Sequence, residues 1–255
     1  MSSNILEVSD LSMRFGGLLA VNGVGLTIKQ GQVVSMIGPN GAGKTTVFNC
    51  LTGFYQPTAG KIIFAGEEIQ GLPGYQIARK GMIRTFQHVR LFKEMTVLEN
   101  LLVAQHQHLN NSLLAGLFKT RSYRKAEKEA LDNAVYWLEK VRLLDDANRE
   151  AGTLAYGQQR RLEIARCMVT RPSLLMLDEP AAGLNPSETD ELKQLINDLR
   201  DNHNISVLLI EHDMKLVMDI SDHIVVINQG TPLASGTPEQ VRNNPAVIKA
   251  YLGEE

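Results

Sequence analysis

Ser35-Met36-Ile37-Gly38-Pro39-Asn40-Gly41-Ala42-Gly43-Lys44-Thr45-Thr46 is the stretch on which the fold turns. From Gly38 it runs Gly-x-x-x-x-Gly-Lys-Thr, directly after the apolar run Val33–Ile37 and directly before Val47-Phe48-Asn49-Cys50-Leu51. Strand, glycine loop, helix is the setting in which this spacing binds a phosphate chain. Glycines let the backbone bend so that successive N–H groups face an anion. The helix that follows adds its positive end. Lys44 brings a point charge for the β- and γ-phosphates, and the Thr45 hydroxyl can ligate Mg²⁺. Gly38, Pro39, Asn40, Gly41, Ala42, Gly43, Lys44, Thr45 and Thr46 are therefore the expected nucleotide-binding residues. The stretch says nucleoside triphosphate and leaves the machine open.

Working outward, Ser173-Leu174-Leu175-Met176-Leu177-Asp178-Glu179-Pro180 reads as an apolar strand ending in two acids. Its burial in a sheet delivers Asp178 to the carboxyl edge, where ligands of open α/β sheets bind. Asp178 is placed to hold Mg²⁺ through its water shell. Glu179 is placed to orient or deprotonate an attacking water. Acids at strand ends are otherwise simply solvated; the phosphate loop tips the balance. His212 follows the next apolar run, Ile205 to Ile210, and emerges at the same edge, within reach of a γ-phosphate. Gln87 ends the short run Arg84-Thr85-Phe86-Gln87 and can reach Mg²⁺ or the water. Taken singly, both would pass for structural or surface residues. In Leu154-Ala155-Tyr156-Gly157-Gln158 a glycine turn opens a helix, a second anion site in one chain. One nucleotide does not need both from a single subunit, but two subunits placed head to tail can sandwich it.

Composition sets the outer bounds. The chain has 255 residues, 44% of them apolar and 21% charged, an ordinary globular mix with room for a substantial core. Lys+Arg number 26 against 28 Asp+Glu, a net charge of −2, which gives no electrostatic case for wrapping nucleic acid. Cys50 and Cys167 are the only cysteines and form no CxxC, so neither a disulfide framework nor a cysteine zinc site is supported. Both are expected as small core residues in a reducing compartment. The first residues lack the basic start and apolar stretch of a signal peptide. No run approaches the ~18 apolar residues of a membrane span. A soluble, cytoplasmic chain follows, unless a partner holds it at a membrane.

One domain is expected, in four stretches: a nucleotide-binding core with β subdomain over 1–87, a helical subdomain over 88–157, the rest of the core over 158–236, and a helical tail over 237–255. Alternating helix and strand in the third stretch argues for a parallel sheet covered by helices. Asn185-Pro186-Ser187-Glu188 has the form of a capping box with proline in the first helical turn. Leu192, Leu195, Ile196 and Leu199 then recur on one face, and Asn202-His203-Asn204 is expected to break the helix. His106 and His108 stand two apart and diverge on a helix, so a solvated face is favoured over a metal site. Lys125 and Glu129 are spaced to pair along an exposed helix.

At these residues the chain resembles an ATP-binding-cassette (ABC) ATPase over nearly its whole length. Gly38–Thr46 is similar to that family's phosphate loop, Gln87 to its Q-loop, Leu154–Gln158 to its signature, Leu174–Glu179 to its second nucleotide motif, Ala182–Asn185 to its D-loop and His212 to its switch histidine. Phe15 occupies the place where the family stacks an aromatic ring on adenine. The resemblance implies an α/β P-loop NTPase fold with a mostly parallel core sheet, an antiparallel β subdomain and a helical subdomain. It also implies ATP and Mg²⁺ as cofactors, with Thr45, Gln87 and Asp178 at the metal and Glu179, His212 and Gln87 in catalysis. In such a cassette two subunits close on two ATP molecules, each held between one phosphate loop and the other subunit's signature, here Gly157 and Gln158. The signature departs from Leu-Ser-Gly-Gly-Gln: Ala155 lacks the hydroxyl, so only the Gly157 and Gln158 roles carry over. Asn185 stands where many members have Asp.

A cassette without a membrane segment implies borrowed ones. Leu91-Phe92-Lys93-Glu94-Met95 lies where the family docks its membrane subunits, although these residues would equally fill the subdomain core. Gln159-Arg160-Arg161-Leu162-Glu163, the insertion around Leu113–Phe118 and the ending Asn244–Gly253 are similar to cassettes of bacterial branched-chain amino-acid importers. That likeness implies two integral-membrane permease subunits, a second cassette (identical or paralogous), a periplasmic solute-binding protein acting indirectly, and no nucleic acid. The location implied is peripheral, at the cytoplasmic face of the bacterial inner membrane. The motor of a lipid or lipopolysaccharide exporter is the alternative. Soluble cassettes of translation or DNA repair usually carry two cassettes per chain or a long coiled-coil insertion, which this chain lacks.

Overall fold

A computed structural model of the chain describes residues 3–105 and 121–252. His106, His108 and the Leu113–Phe118 insertion lie outside the described residues. The chain divides into two compact units, Met1–Gln87 with Pro172–Glu255, and His88–Arg171.

The first unit holds two sheets. Its strands in chain order are β1 (Asn4–Phe15), β2 (Leu18–Lys29), β3 (Val33–Ile37), β4 (Ala59–Phe64), β5 (Glu67–Glu68), β6 (Met82–Arg84), β7 (Leu174–Asp178), β8 (Ser206–Ile210), β9 (His223–Asn228) and β10 (Thr231–Gly236). The smaller sheet is antiparallel, ordered β2-β1-β4-β5. In β2, Val24, Leu26 and Ile28 are buried while Gly25, Thr27 and Lys29 are exposed, the period-two pattern of a half-buried strand. The larger sheet is ordered β10-β9-β3-β8-β7-β6, parallel throughout except for β10 at the edge. Every residue of β3, β7 and β8 is buried, the polar Ser35, Asp178 and Ser206 included, as near-continuous apolar runs require of strands covered on both faces.

Register places the functional ends together. Met36 pairs with Ile210, and Ile210 with Asp178, so the segments following β3, β7 and β8 leave the sheet at one edge. β6 runs parallel beside β7, and Thr85 donates to the Met176 carbonyl, so Thr85–Gln87 continues toward the same edge.

The nine described α-helices, again in chain order, are α1 (Lys44–Leu51), α2 (Gly74–Arg79), α3 (Val97–Ala104), α4 (Arg121–Lys140), α5 (Tyr156–Met168), α6 (Pro186–His203), α7 (Met214–Ile220), α8 (Pro238–Arg242) and α9 (Pro245–Leu252). None is long and apolar enough to cross a membrane. One buried cluster joins Val47, Phe48 and Leu51 of α1 to Leu6, Ile62 and Phe64 of the small sheet and Met36, Met176 and Leu208 of the large one. The helix that starts at the glycine loop is thus clamped between two sheets. On the large sheet's other face, Ile37, Ile224 and Val226 pack with Val217, Val241 and Val247 of α7, α8 and α9.

Helix α6 starts as its sequence predicts: Asn185 caps the Glu188 N–H, and the Glu188 carboxylate returns to the Asn185 N–H. Its end differs. The helix runs on through Asn202 and His203 and stops at Asn204, whose left-handed φ of 54° closes the last turn. The helical tail consists of two helices, α8 and α9. Pro245 starts the second, and proline keeps the residue before it out of helical geometry.

In the second unit α3, α4 and α5 pack on one another. The unit extends to Arg171, so α5 belongs with it, whereas the sequence division placed residues from 158 onward with the core. Thr96 and Glu99 form a capping box at α3. Lys125 and Glu129 pair at 3.8 Å on the exposed face of α4. Cys167 of α5 and Cys50 of α1 are buried and free, and desolvation pushes their thiols up to about 12 and about 11.

Candidate nucleotide site

The loop from Gly38 to Gly43 owes its shape to two close approaches. A Cβ on Gly38 would lie 2.0 Å from the Ile227 carbonyl oxygen. Gly43, at φ +99°, would bring one within 2.9 Å of the Ala20 oxygen. Helix α1 begins at Gly43 with no side-chain cap and no acid in its first turn, which leaves its positive end facing the loop. The Lys44 ammonium is buried and donates to the carbonyls of Gly38 (2.6 Å) and Pro39 (3.0 Å). Burial holds its pKa below the ordinary 10.5, against the opposing pull of Glu179 and Asp178. Residues Asn40–Thr46, Glu179 and His212 together line a cavity of about 220 Å³.

Glu179 follows β7 with a left-handed φ of 49°, while its N–H donates to the Ile210 carbonyl. Its carboxylate is held on both sides: Gln87 Nε2 donates to Oε2 at 2.9 Å, and His212 Nε2 lies 2.9 Å from Oε1. Three residues singled out from separate motifs therefore meet at one carboxylate. His212 is itself fixed from behind. The buried Glu211 carboxylate accepts from the N–H groups of His212 (3.0 Å) and Ala181 (2.6 Å), tying the segment after β8 to the chain after Glu179. Burial raises the Glu211 pKa above 4.5 despite these donors.

Asp178 ends β7 buried, with Oδ2 at 2.6 Å from Arg84 Nη2. Arg84 escaped the sequence reading. Its signal was a lone cation in the apolar segment Met82-Ile83-Arg84, since a buried arginine needs an acid. Glu211 and Tyr251 were also missed. Tyr251 of α9 takes a hydrogen bond from the backbone of Gly38, yet burial raises its pKa overall. The chain's last described helix thus touches the start of the phosphate loop.

Phe15 is not among the residues lining the loop cavity. It ends β1, 41% exposed, with its ring edge-on to Tyr55 at 5.1 Å. Gly157 and Gln158 lie in the second unit, in the first turn of α5. Gln158 Oε1 accepts from the Ala155 N–H at 3.0 Å, and its Nε2 donates to Asp146 at 3.1 Å. The return half of a capping box is absent because Ala155 carries no acceptor.

A glycine loop between a buried strand and a clamped helix, beside the carboxyl ends of parallel strands, defines an α/β P-loop nucleotide-binding fold. Residues 21–182 match the family described as ABC transporter, and the chain belongs to that family. Residues 231–255 match a second family, described as branched-chain amino acid ATP-binding cassette transporter. The chain is 76% identical to the high-affinity branched-chain amino acid transport ATP-binding protein BraF of Pseudomonas aeruginosa, over 100% of both chains. It is 68% identical to LivG of Escherichia coli, which carries the same description, again over 100% of both. Among solved structures it is similar to an ATP-binding cassette of an ABC transporter in its ADP conformation, with TM-score 0.86 and 33% identity, covering 99% of this chain and 100% of that one.

Proposed function

We propose that this chain is the ATP-hydrolysing subunit of an importer for branched-chain amino acids (leucine, isoleucine and valine), peripheral at the cytoplasmic face of a bacterial inner membrane. The observation that carries the hydrolytic reading is the Glu179 carboxylate, gripped by Gln87 and His212 at the rim of the phosphate-loop cavity. The import reading rests on the relatives' descriptions.

In this reading the loop amides and Lys44 take the β- and γ-phosphates, and the ammonium exchanges the Gly38 and Pro39 carbonyls for phosphate oxygens. Phe15 stacks on adenine. Glu179 receives a proton from the attacking water, and His212 and Gln87 hold the carboxylate in line. Thr45, Gln87 and Asp178 form an all-oxygen donor set, which suits Mg²⁺. Among the described residues, Asp178 Oδ1 accepts no protein hydrogen bond, so that oxygen remains for the ion's shell. When bound, the ion neutralises charge on the phosphates.

Gly157 and Gln158 serve the nucleotide of a second cassette, and closure is a ligand-driven shift in population. The membrane subunits have an apolar landing surface in the first unit, a cavity of about 590 Å³ lined by Phe54, Tyr75, Ile77 and Phe86. In the second unit, Phe92 and Met95 are partly exposed as well.

Glu179→Gln in the assembled transporter tests the proposal. Turnover should stop while ATP is retained in a cassette dimer. Hydrolysis at the wild-type rate would remove Glu179 from the base role. Purification from membranes should recover two permeases and a second cassette; recovery of a lipid exporter's subunits instead would overturn the import reading.

A further inference from the structure

We infer that Arg84 is a positioning residue that sets the spacing between Asp178 and the helix bearing Thr45, a statement that rests on the reading of those two as ligands of the nucleotide's divalent cation. The guanidinium uses both prongs of its fork. Nη2 donates to Asp178 Oδ2 at 2.6 Å, and Nη1 donates to Asn49 Oδ1 at 2.6 Å. Asn49 lies in α1 one helical turn after Thr45. A single planar group thus bridges strand β7 and helix α1 at fixed distance, which a point-charge ammonium cannot do.

The arginine is itself immobilised. Its side chain is 7% exposed, and the rings of Phe48, Phe54 and Phe86 stand 5.4–6.0 Å from its guanidinium carbon. Its Nε is buried with no partner among the described residues. An unsatisfied buried donor is destabilising, so burial of this group is not explained by stability alone. Arg84 takes only one Asp178 oxygen, and Oδ1 accepts from no donor among the described residues, as expected of a residue orienting a metal ligand.

The test uses the purified full chain with Mn²⁺ in place of Mg²⁺. Mn²⁺ binding at saturating ATP is followed by electron paramagnetic resonance, and ATP affinity is measured separately in EDTA. Arg84→Met should raise the Mn²⁺ half-saturation roughly 10-fold or more, in the range for loss of a group that orients a metal ligand, with ATP affinity in EDTA within about twofold of wild type. Arg84→Lys should recover part of the loss, because the ammonium meets Asp178 but cannot also hold Asn49. Asn49→Ala, which leaves the Asp178 pair intact, should still weaken Mn²⁺ binding. Mn²⁺ affinity unchanged in a folded Arg84→Met overturns the inference, as does an equal loss of ATP affinity in EDTA. Should Arg84→Met not fold, unchanged Mn²⁺ affinity in Asn49→Ala overturns it on its own. A wild-type chain that binds ATP but takes up no Mn²⁺ with it would instead remove the cation reading on which the inference rests.

Discussion

Lys44 is pulled two ways. Burial disfavours its charge, while Asp178, Glu179 and two loop carbonyls favour it, and burial wins. With its folded pKa below 10.5, the unfolded chain holds this proton to higher pH than the native one. Stability drawn from this group therefore rises as pH climbs through that window toward 10.5. Lys44→Met should flatten that slope in pH-dependent unfolding and leave the neutral-pH fold no weaker. It should also reduce ATP affinity at least about tenfold by removing a charge-assisted phosphate contact. A fall in stability at pH 7 as large as the loss of binding would mean that the ammonium is structural. Lys44 and Glu179 stood out in the sequence from the glycine-loop motif and the acid-ended strand, whereas Gln87 and His212, unremarkable singly, drew attention only beside that loop and through the family resemblance. Arg84 and Glu211 drew none. Their meaning lies in contacts with Asp178 and Ala181 across neighbouring strands, which local spacing does not encode.

At the level of elements, helix ends carry the clearest local chemistry. The Asn185 box could be read directly because its two hydrogen bonds join residues three apart. The end of α6 was placed two residues early, because asparagines at 202 and 204 look alike in sequence and only one adopts the left-handed turn. Helix α5 offers the complementary test. Its third residue already reaches back to the Ala155 N–H, so Ala155→Ser would complete the box. The variant should stabilise the chain by about 0.5–2 kcal/mol, seen as a higher denaturation midpoint. No gain would show that residue 155 does not act as the cap.

For the whole molecule, α1 is the member on which most depends. Its Phe48 is fully buried in the cluster shared by both sheets, so the helix that opens at the nucleotide loop also joins the antiparallel and parallel layers. Phe48→Ala should destabilise by about 3–5 kcal/mol through lost burial and a cavity that sheets on both sides resist filling. Chemical denaturation measures this, and a loss under about 1 kcal/mol would show that the layers close around the gap. The helix-covered parallel sheet was legible, since its near-continuous apolar runs alternate with helices, whereas the antiparallel sheet followed only from the family resemblance. Strand order was not legible, because it depends on pairings between segments far apart in the chain.

Those pairings bear on how the protein is made. Strand β3 is flanked on both sides by late arrivals, with Val33 beside Val207 and Val34 beside His223. A ribosome adding ~5–20 residues per second reaches the first of them some 10–30 seconds after β3. Throughout that interval β3, four of its five residues apolar, lacks both native neighbours, and its open amides and apolar side chains face whatever else is at hand until β8 and β9 emerge.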